Sequence, residues 1–71
     1  MDVTELGARV RDAIESAGSN PHRIAEQTGI PRVTLMRRLA GHSSFTYAEL
    51  SAIADALGVP ILRLIAEGDA A

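Results

Sequence analysis

The chain has 71 residues, 46% apolar and 23% charged, with a formal net charge of −2 and no cysteine. That length makes one domain, which buries only about 60% of its unfolded surface. Disulfides and thiolate zinc sites are excluded, and no apolar run approaches the roughly 20 residues that span a bilayer.

Periodicity and caps predict five helices and no strand, an all-α, compact five-helix bundle. The N-terminal MDVTELGARV has neither a basic start nor an apolar block, so it does not read as a signal peptide, and a soluble, cytoplasmic protein is expected. The first helix runs from about Val3 to Ala17, opened by Asp2 with Glu5 as a capping box and stopped by Gly18. Its apolar stripe is Leu6, Val10, Ala13, Ile14 and Ala17. The second helix has Asn20 as cap and Pro21 at its first position, turns Ile24 and Ala25 inward, and ends at Gly29. The third starts near Pro31 and ends at Gly41, with Ile30, Leu35 and Leu39 as its inner line. HSSF follows as a loop. Thr46 with Glu49 then makes a capping box before Leu50, Ile53, Ala54 and Leu57, and Gly58 stops that fourth helix. Pro60 opens the fifth, which runs to about Ala66 with Ile61, Leu64 and Ile65 toward the core. Residues 1–67 form the domain, and 68–71 read as a frayed tail.

Charge is unevenly spread. Residues 1–19 carry a net −2 and residues 43–71 a net −3, whereas residues 20–42 carry Arg23, Arg32, Arg37 and Arg38 against Glu26 alone, a net +3, with both histidines. A local basic patch matters more to a polyanion than the total charge does. The basic segment also holds the tightest connection in the chain. Only about three residues, centred on Gly29, separate the second and third helices, and small Ala25 lies four residues before that glycine. Two helices crossing steeply through a short glycine turn fit this spacing. At about 100° per residue, burying Leu35 and Leu39 turns Val33 and Arg37 outward. Arg32 falls at the exposed start, with Met36 and Arg38 on the flanks. A solvated face would sooner carry Glu, Lys, Gln or Ser. Against DNA, arginine pairs with guanine and an apolar group meets a thymine methyl.

The stretch PHRIAEQTGIPRVTLMRRLAGHSSFTYAELSAIADALGVP resembles the phage Cro and repressor-type (XRE-like) helix-turn-helix family. The matching features are IAEQTGI, TL within the third helix, LAG at its end, and the run F-T-x-x-E-L-x-x-I-A-x-A-L-G-V, together covering roughly residues 20 to 65. The resemblance implies a five-helix domain that binds double-stranded operator DNA, usually as a homodimer, with the third helix in the major groove. It implies base contacts from Arg32, Val33, Met36 and Arg37. Backbone contacts would come from Asn20, His22 and Arg23, from Thr34 and Arg38, and from His42, Ser43 and Ser44. Two positions depart from the family pattern. The family commonly has an apolar residue where Arg38 stands, with Leu39 taking the inner role here, so the resemblance leaves the choice between Arg37 and Arg38 open. Pro31 replaces the more usual Ser or Thr at the helix start, a rigid entry without a capping hydroxyl.

Plainer roles exist for several of these residues. The arginines could form ion pairs on a solvated face, Val33 could be peripheral core, and Met36 partial core. His22 could pair with Glu26 at i,i+4, His42 could be a lone loop histidine, and Ser43 and Ser44 could be turn residues. Two isolated histidines and no glycine-rich phosphate loop assemble no catalytic set. His22 and His42 lack the further ligands a metal needs. No enzymatic activity, cofactor, metal or small-molecule effector is therefore expected. Leu62, surplus to the core and next to Arg63, suggests a small isologous dimer contact that tightens on DNA. The rival function is a protein-interaction module, since antitoxins built on this fold also bind a toxin partner.

Overall fold

The computed structural model describes residues 2–65, so the expected tail at 68–71 lies outside the described residues. Within them the chain forms five helices: α1 (Val3–Ser16), α2 (Pro21–Thr28), α3 (Arg32–Leu39), α4 (Tyr47–Leu57) and α5 (Ile61–Ile65). Among the described residues there is no strand, and no helix is long and apolar enough to cross a membrane.

Local chemistry starts and stops these helices. Asp2 caps α1 by accepting from the Glu5 N–H at 2.8 Å, and Asn20 caps α2 by accepting from the Arg23 N–H at 2.9 Å. At α4 the capping box closes in both directions. The Glu49 N–H donates to Thr46 Oγ1 at 3.1 Å, and the Thr46 N–H donates to Glu49 Oε1 at 2.9 Å. These bonds satisfy donors that a helix start otherwise leaves unpaired. Three helices end in paired 6→1 and 5→2 backbone bonds around a glycine, such as His42 N–H to the Arg37 carbonyl and Gly41 N–H to the Arg38 carbonyl.

The core gathers side chains from every helix: Val10 and Ile14, Ile24, Leu35 and Leu39, Leu50 and Ile53, and Leu64. Helix α1 packs on α3 and α5, α2 packs on α3 and α4, and α4 packs on α5. Three details differ from the apolar periodicity. Ala17 is exposed, because α1 ends at Ser16 and Ala17 is its C-cap. Phe45, in the loop before α4, is buried and belongs to the core. Gly7 is also buried. A Cβ there would lie 2.5 Å from the Leu39 carbonyl oxygen and 2.9 Å from that of Arg38. Helix α1 therefore approaches the end of α3 at a distance only glycine permits.

Candidate nucleic-acid interface

The connection between α2 and α3 is Gly29–Ile30–Pro31. Gly29 takes the left-handed conformation, φ 80°, and its N–H donates to the Ala25 carbonyl at 2.9 Å. A side chain would strain that conformation. Thr28 braces the turn: its hydroxyl donates to the Ile24 carbonyl at 2.7 Å and accepts from the Ile30 N–H at 3.3 Å. Ile30 and Ala25 are both buried, so the turn is anchored by an apolar residue on one side and closely packed on the other. Pro31 supplies no side-chain cap, and its carbonyl accepts the first bond of α3 from the Leu35 N–H.

Burial of Leu35 and Leu39 fixes the rotation of α3. Val33 is 73% exposed and Met36 42% exposed. That excludes a core role for Val33, while Met36 keeps a part of its side chain against the protein. Arg32 and Arg37 are exposed, and Thr34 is half-buried. Arg32, Val33, Met36 and Arg37 line one open trough with Ala40 and His42. The four residues singled out for base contact thus share a single face, with a loop histidine at its edge.

Arg38 points elsewhere. Its Nη1 donates to Ser43 Oγ at 2.8 Å, and its Nε lies 2.7 Å from Glu49 Oε1. The two groups form a close ion pair, although the Nε–H is not well aligned on the carboxylate oxygen. Burial raises the Glu49 pKa, but the Thr46 N–H and the Arg38 guanidinium more than offset this and hold the carboxyl below its ordinary value. Arg38 and Ser43 are therefore engaged inside the protein, which settles which of the two adjacent arginines faces outward. Sequence reasoning missed Glu49 as the partner. It lies eleven positions further on across a loop, where no helical spacing points to it.

The other candidates sit apart from the trough. At the start of α2, Asn20 spends its side-chain oxygen on the cap. His22 Nε2 lies 3.4 Å from Glu26 Oε2, the i,i+4 pair, with both side chains largely exposed. Arg23 and Ser44 are exposed. Leu62 is 62% exposed on α5, and Arg63 is exposed beside it.

A family model described as helix-turn-helix matches residues 10–64. The chain belongs to the Cro and repressor-type helix-turn-helix family. No curated protein and no solved structure gives a significant match. Membership makes the chain a DNA-binding helix-turn-helix regulator, whose family partner is double-stranded DNA. Within that family pattern Pro31 replaces a capping residue without loss of the helix start, and Arg38 fills an apolar position with a side chain whose charge is met internally.

Proposed function

We propose that the protein is a sequence-specific operator-binding regulator, Cro-like or repressor-like, that lays α3 in the major groove. The reading rests on one observation: Val33, 73% exposed, and Met36 stand between Arg32 and Arg37 on the outer face of a helix whose inner face is core. Exposed apolar groups flanked by arginines suit a groove that offers guanine acceptors and thymine methyls. Arg32, Val33, Met36 and Arg37 are the base-contacting set. Asn20, His22, Arg23, Thr34, His42 and Ser44 supply the phosphate contacts that set register. Two protomers meet through Leu62 and Arg63, weakly in solution and more firmly on DNA. With this architecture the protein acts by occupying an operator and obstructing or redirecting polymerase, and its control comes from concentration and dimerisation.

The test is selection of bound duplexes from a random pool at moderate salt. Two related half-sites about one helical turn apart are expected. A single half-site would remove the dimer and keep the reading helix. No enrichment would sink the proposal and turn attention to a protein partner, whose binding would lack the steep salt dependence of phosphate contacts.

A further inference from the structure

Arg38 has the right chemistry for a phosphate ligand and a position next to the trough, yet its head group is already occupied. Ser43 takes Nη1 at 2.8 Å, and Glu49 stands 2.7 Å from Nε. The carboxylate it meets is not free to follow it. Glu49 Oε1 also accepts the Thr46 N–H, so the first turn of α4 fixes that oxygen in place. The side chains of Arg38 and Glu49 are only 20% and 18% exposed. Pulling Arg38 out to a phosphate would leave a half-buried carboxylate unpaired beside DNA, which is unfavourable on both counts.

The loop spanned by this contact has few other attachments. Gly41 lies against Thr4 of α1, where a Cβ would come within 2.9 Å of the Thr4 Cα, and Phe45 is buried in the core. Between these two anchors, His42 and Ser44 are exposed, and Ser43 is the half-buried residue that Arg38 holds. We propose that Arg38 is a positioning residue: through Ser43 and Glu49 it ties the end of α3 to the start of α4 and sets the pose of the His42–Ser44 loop, without touching DNA itself. This rests on the operator-binding reading for its effect on affinity, but the tether exists in the free protein.

The test uses the full chain, its selected duplex and three variants, Arg38→Met, Glu49→Gln and the double substitution. A positioning pair predicts that each single change weakens binding on the order of tenfold, and that the double change is no worse than the weaker single. The salt slope should stay close to wild type, because Arg38 itself neutralises no phosphate. A slope lower by about one for Arg38→Met, with Glu49→Gln binding as well as wild type or better, would make Arg38 a phosphate ligand and overturn the proposal. Additive losses in the double variant would overturn it too. Arg38→Lys guards against variants that fold poorly. Lysine serves a phosphate nearly as well but presents no fork to span Ser43 and Glu49, so a positioning role predicts that it fails. Amide exchange of His42, whose N–H donates to the Arg37 carbonyl at the end of α3, separates the two readings in the free protein. Faster exchange in Arg38→Met and Glu49→Gln is expected even if the wild type binds no duplex, an outcome that would remove the operator reading and leave the tether. Unchanged exchange would remove the tether.

Discussion

Adjacent arginines on α3 meet opposite fates, and the difference is one of rotation alone. Arg37 follows Val33 by four residues and shares its exposed side, whereas Arg38 is turned about 100° toward α4. Arg37→Ala should therefore cost about 1–3 kcal/mol of operator affinity and relax the preference at one base pair, read by competition among singly substituted duplexes. Unchanged affinity would remove Arg37 from the base-reading set. Arg23→Ala at the start of α2 should behave differently, weakening all duplexes alike and lowering the salt slope by about one unit. The outward placing of Val33 and Arg37 was legible from the Leu35 and Leu39 spacing, since a buried pair four apart orients a whole helix. The anchoring of Arg38 was not. Its partner comes from another helix, and a contact of that kind follows from how helices pack and not from the period within one.

At the scale of elements, the starts and stops were readable because each has a chemical signature: a side-chain oxygen at Asp2, Asn20 and Thr46, and glycine after the helix at Gly29 and Gly58. Asn20→Ala should cost about 1 kcal/mol of stability through the lost cap on α2, measured by denaturant unfolding. Two packing devices left no such mark. Phe45 lies in a loop whose composition reads as polar, and only the assembled core reveals it as an anchor. Gly7 sits inside a good helix between Leu6 and Ala8, and a count of apolar side chains passes over a residue that packs by having none. Gly7→Ala would press a methyl against the carbonyls of Arg38 and Leu39, which are backbone and cannot swing aside. The unfolding midpoint should fall, by about 1–3 kcal/mol of stability, with α1 and α3 forced apart.

Across the whole molecule, the sequence segregates charge, with a net +3 at residues 20–42 between two acidic segments. Acid weakens the fold through Glu49, which binds its proton less tightly when folded than when unfolded. Its ionisation favours folding fully above the ordinary glutamate pKa of about 4.3, and that gain disappears as pH falls through the lower folded value. Glu49→Gln should lower stability at neutral pH and flatten the acid limb below about pH 4, as followed by thermal unfolding across the pH range. Leu62→Ser on α5 should leave stability within about 0.5 kcal/mol, as an exposed substitution does, while reducing cooperative occupancy of paired half-sites. The exposed trough has a consequence for how such a protein diverges. Arg32, Val33, Met36 and Arg37 are exposed, and the core residues of α3 are Leu35 and Leu39. If this face reads bases, replacing Arg32, Val33 and Arg37 disturbs no core packing and replacing Met36 disturbs only the part of it held against the protein, so target preference is free to drift, or to be rewritten in a library, on a scaffold whose stability changes little. Descendants of this chain could part company over which operators they recognise long before their folds differ.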